Sequence, residues 1–290
     1  MTVDVVLITY NQERFIAQAV ESILFQRVRS DVDVRVIIAD DCSVDNTLKI
    51  IKTYEQHSCF PFMFLNGQQN IGHIKNYQRA FGMCNADYTF VLEGDDYWCS
   101  PYHIVKHIDF LDEHRECSMS VNGIVLLWSK NNLYELHDYK AHSEVQYIDI
   151  RKQIICNHIG NHSSACYRTT HLKTIPLSFY GSSFDDALLG IWFAQYGFIA
   201  KLKDYTTVYR KSDKGLWSGL NTDEQSKIII ERLKKNDELF DHKYHDFFLE
   251  AINFCSDNSD SKVNILNYLP PIIIKIVKLF IPKIYKKKIV

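Results

Sequence analysis

Short apolar runs alternate with helical periodicity along the first hundred residues of the chain. Runs of this length are typical of buried strands, and apolar side chains that recur every three or four residues predict helices between them. The alternation indicates βαβ units around a parallel sheet, an α/β fold. The predicted strands lie at residues 3–8, 34–39, 62–65, 88–92, 119–128 and 199–209, and the predicted helices at about residues 15–26, 45–56, 74–84, 102–114, 185–196 and 222–255.

The remaining segments carry weaker signals. Asn11 is a predicted N-cap of the first helix, and Asp45 is predicted to cap the second. Residues 129–167 are polar and predict irregular structure, and residues 257–261 predict a linker because none of them is apolar. The pattern divides the chain into a main domain at residues 1–220, a helical extension at 221–260 and a tail at 261–290.

Composition narrows the class of protein. The chain has 290 residues, 46% hydrophobic and 23% charged, with a formal net charge of -2, which argues against a general nucleic-acid binder. Its eight cysteines form no C-x-x-C pair. No basic segment precedes the first strand, so no secretory signal is expected. Reduced thiols and a cytoplasmic location are the simplest expectation.

The tail combines lysines with apolar residues and has no acid after Asp260. The ten residues between Pro271 and Pro282 would span about 15 Å as a helix, half of a bilayer core of about 30 Å. They therefore cannot cross a membrane. The pattern favours an interfacial helix whose lysines face anionic headgroups at the inner face of the cell membrane, over a helix that packs on the domain.

Three carboxylates follow the apolar run at residues 88–92, in the segment Glu93-Gly94-Asp95-Asp96. In an open α/β sheet, ligands bind beyond the carboxyl ends of the strands. Carboxylates this close raise one another's pKa unless a cation shares them. The segment is either a site for Mg²⁺ or Mn²⁺, which take oxygen ligands, or a solvated acidic turn.

Polar residues also end the first two predicted strands, at Thr9-Tyr10-Asn11 and at Asp40-Asp41. These ends are expected to meet the acidic segment in one crevice. Carboxylates there can accept hydrogen bonds from a ribose or a base. The glycine-rich loop of an NAD-type phosphate site is absent from the sequence.

Together these segments and Asn70-Ile71-Gly72 resemble, in order, the motifs of family 2 glycosyltransferases with a GT-A fold. The resemblance covers about residues 3–220. It implies an inverting, metal-dependent enzyme that moves a sugar from a nucleotide-sugar, expected to be a UDP-sugar, to a hydroxyl of a glycan or lipid-linked glycan. Bacterial surface-polysaccharide assembly is the expected setting.

The resemblance also implies roles for residues. Asp96 would hold the metal ion, Asp95 would approach the donor, Asp41 would be the likelier base contact, and Glu93 would support the turn. Lys75 is either a basic group of the site or a helix-surface lysine. Arg210 and Lys214 could neutralise the diphosphate, and Trp217 could stack on a sugar. Alternatively, these three are ordinary loop residues. The implied donor-binding set is Thr9, Tyr10, Asn11, Glu13, Asp40, Asp41, Lys75, Asp95, Arg210 and Trp217.

The family places an acid at the start of a helix across the pocket. Asp186 fits best and Asp185 is the alternative, although the helix dipole favours acids at this position in any case. Such a base would remove the proton of the attacking hydroxyl. Ser212 stands where related enzymes often have a histidine, which puts metal dependence in doubt.

Two rivals and one histidine pair complete the sequence evidence. A catalytically silent nucleotide-sugar-binding or scaffold protein would keep the fold, and a nucleotidyltransferase would need a glycine-rich basic loop that the first strand end lacks. His158 and His162 are separated by a glycine, which argues against a helical metal pair. They are expected to line an acceptor pocket or to be structural.

Overall fold

The computed structural model describes residues 1–65, 67–137, 145–181, 184–211 and 222–260. The strands are β1 Thr2–Thr9, β2 Asp33–Asp40, β3 Phe62–Phe64, β4 Tyr88–Glu93, β5 Tyr97–Trp98, β6 Cys117–Trp128, β7 Leu133–Leu136, β8 Val145–Ile148, β9 Ala165–Arg168 and β10 Phe198–Lys211. The helices are α1 Ile16–Leu24, α2 Thr47–Glu55, α3 His73–Met83, α4 His103–Glu113, α5 Ile150–Ile155, α6 Thr169–Leu172, α7 Asp186–Ala194, α8 Thr222–Leu239 and α9 His245–Asp260.

One mixed sheet runs through the molecule in the order β3-β2-β1-β4-β9-β6-β10-β5. Strands β3, β2, β1 and β4 are parallel, which confirms the predicted βαβ half. Thr9 lies beside Asp40 and Ile8 beside Glu93, so the three polar strand ends share one edge, as predicted. Strand β9 is antiparallel to both β4 and β6, and joins the second half of the chain to the first.

The sheet is covered on both faces, which explains why its strands are continuously apolar. Alternate residues of β1 enter opposite layers: Val6 packs in the layer that contains residues of α3 and α7, whereas Val5 packs in the layer of α1 and α4. Helices α3 and α7 therefore lie on the same face. This arrangement brings their N-terminal ends towards the acidic turn.

The segment at residues 129–167, predicted to be irregular, contains regular structure, and that prediction is wrong. Strands β7 and β8, helix α5 and the start of β9 lie in its described part. Strand β7 pairs only along β6 and all its residues are exposed, so it has no apolar alternation for a pattern to detect. Short elements that depend on tertiary pairing give little local signal.

Three further boundaries differ from the predictions. The single helix predicted at 222–255 is two helices, because Asp241 and His242 adopt left-handed backbone angles (φ 49° and 58°) that end α8. The predicted linker is wrong over residues 257–260, which belong to α9. Asn11 is not an N-cap, since α1 begins at Ile16 and Asn11 has φ 52°. The tail at 261–290 lies outside the described residues.

Two other expectations can be compared with the structure. The eight cysteines all lie in the described part of the chain, and each is a free thiol. Within the described ranges, no helix has the length and apolar character to cross a membrane.

Candidate active site

The acidic turn between β4 and β5 is fixed by backbone hydrogen bonds. The amide of Gly94 donates to Ile8 O at 2.8 Å, and that of Asp96 donates to Glu93 O at 2.9 Å. A Cβ atom at Gly94 would lie 2.9 Å from Ile16 Cδ1 and 3.0 Å from Thr9 Oγ1, closer than real contacts allow. Glycine therefore lets the turn lie directly against the end of β1.

Asp96 is 1% exposed and is held by the second half of the chain. Its Oδ2 accepts hydrogen bonds from Asn161 Nδ2 at 2.9 Å and Ser163 Oγ at 2.8 Å, and its Oδ1 accepts one from the amide of Arg210 at 3.1 Å. Asp95, by contrast, is half-buried. Sequence reasoning missed Asn161 and Ser163. A run of polar residues just before a strand was the signal available.

The three carboxylates of the acidic segment repel one another electrostatically. Burial, and then the charge of Asp95, raise the pKa of Glu93 to about 7. Burial also raises the pKa of Asp95, and burial with the charges of Asp95 and Glu93 raises the pKa of Asp96 well above its usual range. A divalent cation would offset this repulsion, and the all-oxygen donor set fits Mg²⁺ or Mn²⁺.

A cavity of about 210 Å³ opens beside Glu93. Burial raises the pKa of the Tyr209 hydroxyl far above its usual value, and the charges of Asp96, Glu93, Asp95 and Asp186 raise it further. The walls combine acids, aromatic rings and two histidines: His73, Tyr77, Glu93, Gly160, Asn161, His162, Phe184, Asp185, Asp186 and Tyr209.

The two acids at the start of α7 have different partners. Asp185 is the N-cap: its Oδ1 accepts from the amide of Leu188 at 2.8 Å, and its Oδ2 pairs with Arg232 at 2.8 Å. Burial and the charge of Asp186 raise the pKa of Asp185 to about 6. Asp186 accepts from its neighbouring amide, Ala187 N, at 3.0 Å, and lines the cavity. Asp186 is the freer carboxylate.

Aromatic packing holds His162 and Glu93 in the cavity wall. Tyr77 donates its hydroxyl to Glu93 Oε1 at 2.9 Å, and its ring centroid lies 5.0 Å from that of His162. His162 Nδ1 lies 3.1 Å from the hydroxyl of Tyr167. Burial lowers the pKa of His162, which keeps the ring neutral. His162 thus lines the cavity, which is compatible with one of its two expected roles. Glu93 was expected to support the turn, and its side chain also lines the cavity.

The aspartates at the end of β2 are already satisfied by the protein. Asp41 is 2% exposed and accepts hydrogen bonds from the amides of Ile71 and Gly72, both at 2.9 Å. Asp40 accepts from the amide and hydroxyl of Ser43. The two motifs Asp40-Asp41 and Asn70-Ile71-Gly72 are therefore one hydrogen-bonded unit, in which Gly72 has φ 85°.

The loop after β1 is fastened to the same unit. Asn11 donates its amide to Ser43 Oγ at 2.9 Å and accepts from the amide of Val44 at 2.9 Å. Glu13 Oε2 accepts from the amide of Asn46 at 3.0 Å. The hydroxyl of Thr9, which is buried, donates to Gln12 at 2.8 Å, whereas Tyr10 is 45% exposed. Asp45 accepts from Thr47 N at 2.9 Å, at the start of α2.

The basic and aromatic residues of the implied donor set differ in position. Lys75 is exposed on the first turn of α3. The guanidinium of Arg210 lies 5.0 Å from the ring centroids of both Phe15 and Tyr97, and donates to Gln18. Trp217, Ser212 and Lys214 lie outside the described residues.

The chain matches known proteins in sequence. Residues 4–170 match the model of the family "Glycosyl transferase family 2". The uncharacterized protein Rv1520 of Mycobacterium tuberculosis is 28% identical over 224 residues, 76% of this chain and 62% of that protein, so the match spans less than two thirds of this relative. The putative glycosyltransferase EpsE of Bacillus subtilis is 29% identical over 124 residues, 43% of each chain.

The fold is also similar to that of solved structures. S. aureus TarS 1-349 in complex with UDP superposes with a TM-score of 0.62 at 18% identity, over 93% of this chain and 76% of that one. The mannosyltransferase PcManGT of Pyrobaculum calidifontis, in complex with GDP-Man and Mn²⁺, gives 0.58 at 12% identity, over 88% and 73%. At these identities the likeness concerns the fold. With the family match over more than half of its length, the chain belongs to glycosyl transferase family 2.

Proposed function

We propose that the protein is an inverting, metal-dependent glycosyltransferase that moves a sugar from a UDP-sugar to a hydroxyl of a glycan or lipid-linked glycan. One observation carries the proposal. Asp186, at the start of α7, and Glu93, beside the acidic turn, line the same cavity of about 210 Å³. A candidate proton acceptor and one acid of the acidic segment therefore face one space of a size suited to a sugar.

The acids of the turn differ in their hydrogen-bond partners, and these contacts favour Asp95 over Asp96 as the main metal ligand. Asp96 has both oxygens engaged by protein donors, whereas Asp95 is half-buried. Asp96 then holds the turn in place. A bound Mg²⁺ or Mn²⁺ would neutralise the diphosphate as negative charge develops on it.

The donor is expected to lie over the ends of β1 and β2. Asp40, Asp41, Asn11 and Glu13 hold the loops there, which leaves backbone groups and the exposed ring of Tyr10 for the nucleoside. Two solved structures of similar fold contain UDP and UDP-GlcNAc. This supports a uridine nucleotide.

Transfer needs a base for the acceptor hydroxyl. Asp186 takes the hydroxyl proton as the oxygen attacks the anomeric carbon, and the bond from that carbon to the diphosphate oxygen breaks. Attack from the face opposite the leaving diphosphate inverts the anomeric centre. A positioned carboxylate typically contributes about 10²- to 10⁴-fold in rate.

The acceptor and the setting rest on the relatives and on the tail. Curated relatives include the abequosyltransferase RfbV of Salmonella typhimurium and a putative teichuronic acid biosynthesis glycosyltransferase, TuaG, of Bacillus subtilis. They support a role in surface-polysaccharide assembly. Residues 261–290 would then hold the enzyme at the inner face of the cell membrane, near a lipid-linked acceptor.

A binding and turnover experiment tests this function. The purified chain is titrated with UDP-sugars and GDP-sugars, with and without Mn²⁺, while thermal stability and release of nucleoside diphosphate are measured. A UDP-sugar is expected to raise the melting temperature only with Mn²⁺ and to be consumed. Asp95→Asn should lose the Mn²⁺-dependent part, and Asp33→Asn, an exposed acid at the opposite end of β2, should not.

Two outcomes would contradict the proposal. Binding of a UDP-sugar without release of UDP, across a panel of glycan acceptors, would favour the catalytically silent alternative. Equal Mn²⁺-dependent binding in Asp95→Asn, with loss in Asp96→Asn, would return the metal to Asp96.

A further inference from the structure

A second group of ligand-type side chains lies at the turn between α8 and α9. Asp237 Oδ2 is 2.9 Å from His242 Nδ1 and 2.7 Å from His245 Nδ1. One ligand atom from each of the three residues lies within 4.8 Å of the others. The group belongs to the helical extension and contains no residue of the cavity lining.

The carboxylate of Asp237 can accept more contacts than the two histidines supply. Asp237 is 6% exposed, and its Oδ1 is buried without a hydrogen-bond partner among the described residues. A buried carboxylate oxygen without a donor is costly unless a cation reaches it.

The two imidazole rings are open to solvent. The side chains of His242 and His245 are 62% and 50% exposed, so an ion can approach from outside. His242 is turned back towards α8 by the left-handed backbone at Asp241 and His242. That conformation is uncommon for residues other than glycine. It brings the second imidazole to the same carboxylate oxygen as the first.

We propose that Asp237, His242 and His245 form a binding site for a transition-metal dication, Zn²⁺ in the first instance. Two neutral imidazole nitrogens and one carboxylate oxygen form a donor set typical of zinc, with water completing a tetrahedron. Ligand atoms about 2.0 to 2.1 Å from such an ion lie about 3.3 Å apart. The present separations of 2.7 and 2.9 Å need to widen by only about 0.5 Å.

Binding replaces two hydrogen bonds by metal–ligand bonds. The Nδ1 proton of each ring is released to solvent or carried on Nε2, and the freed lone pair binds the ion. The charge of Asp237 is then shared with the cation. This site is chemically distinct from the acidic turn, because imidazole favours zinc, cobalt or nickel, whereas an all-carboxylate site favours Mg²⁺ or Mn²⁺.

The site would fix the turn that packs against α7. Phe240, inside the turn, has its ring 5.2 Å from that of Phe179 and 6.5 Å from that of Trp192. Arg232, on α8, forms the ion pair with Asp185 at the start of α7. A bound ion would therefore stabilise the helical extension where it supports the helix that carries Asp186.

The test uses the full chain, freed of metal, and adds Zn²⁺ or Co²⁺ alone. At about 100 times the dissociation constant, Zn²⁺ should raise the melting temperature by about 5 °C. Co²⁺ should bind and give visible absorption bands of a low-symmetry site. Asp95→Asn serves as the background in both experiments, because this change should weaken metal binding at the acidic turn.

Matched histidine variants decide the result. His245→Gln, at an exposed position, should weaken Zn²⁺ binding at least about tenfold and remove the cobalt bands. His114→Gln is the control, since His114 also pairs with a carboxylate, Glu116, at 2.9 Å but has no second histidine. No Zn²⁺-dependent shift in the parent protein, or unchanged binding in His245→Gln, would overturn the proposal.

Discussion

Two sets of acids lie around the candidate active site, but they have different partners. At the end of β2, Asp41 accepts two backbone hydrogen bonds and Asp40 accepts two from Ser43. Beside the cavity, Glu93 and Asp186 have fewer donors, and the pKa of Glu93 is raised to about 7, chiefly by burial. The first set builds loops, and the second faces a ligand space.

The difference shows how a motif can be read in physical terms. A buried carboxylate with backbone donors is stabilised in its ionised form by the fold itself. A carboxylate that is half-buried with a raised pKa lowers stability until a ligand supplies the missing charge. The acids of the second set are therefore the ones whose loss should affect chemistry more than folding.

The largest expected effect is on turnover. Asp186→Asn should reduce sugar transfer by about 10²- to 10⁴-fold, because the amide cannot accept the hydroxyl proton. Donor binding, measured by calorimetry with Mn²⁺ present, should stay within about twofold, a change of about 0.4 kcal/mol. This combination separates a base from a residue that only shapes the pocket.

Asp185→Asn is the matched control for this variant. It keeps the N-cap acceptor but loses the charged partner of Arg232, a pair that is partly exposed and worth about 0.5 to 1 kcal/mol. Its transfer rate should fall much less than that of Asp186→Asn. The reverse order of the two variants would assign the base to Asp185.

An intermediate effect, on stability, is expected for Asp41→Ala. Two buried amides, those of Ile71 and Gly72, lose their acceptor, which should lower the free energy of unfolding by about 2 to 4 kcal/mol. Urea denaturation measures this loss, and Asp33→Ala, an exposed acid on the same strand, should change it by less than about 0.5 kcal/mol. Unchanged stability with lost UDP binding would instead make Asp41 a base contact.

The smallest effect concerns pH. The pKa of Glu93 is about 7 in the folded chain and near 4.5 ordinarily, so between these values the folded state holds an extra proton. The stabilisation from this group is therefore present below about pH 4.5 and is lost as the pH rises through about 7. For the metal-free protein, the loss should amount to about 1 to 3 kcal/mol.

Glu93→Gln isolates the contribution of Glu93 to the pH dependence of stability. The buried histidines act in the opposite direction, since burial lowers the pKa of His107 to about 3 and folded stability falls as the pH drops below about 6.5. The useful quantity is the difference in unfolding free energy between wild type and Glu93→Gln at pH 5 and pH 8. A difference independent of pH would mean that Glu93 ionises normally.

The parallel half of the fold could be predicted from sequence, because each buried strand is a continuous apolar run and each helix an amphipathic one. The acidic turn could be found in the same way, since strand ends are local features, whereas the expected roles of Asp185 and Asp186 follow from the family resemblance. The sequence pattern could not predict which acid of each group has a structural role and which one faces the ligand space. That depends on Arg232, Asn161 and Ser163, which are distant in sequence and meet the acids only in the folded chain.

The short strands of the second half are harder to predict from sequence for the same reason. Strand β9 has four residues, and its partners β4 and β6 come from separate parts of the chain. Strand β7 is wholly exposed. Neither strand has a repeating pattern long enough to distinguish it from a loop. Both form because they pair with other strands, and a local sequence pattern does not contain that information.

The position of β9 sets a limit on how this chain can be divided. Asn161 and Ser163, which hold Asp96, come just before β9, and β9 itself ends at Arg168. A fragment or chimera joined before residue 161 would keep every acid of the first half and yet lack the donors that hold the acidic turn. Exchange of the second half of the chain between relatives should therefore use a junction after residue 170, where the family match also ends.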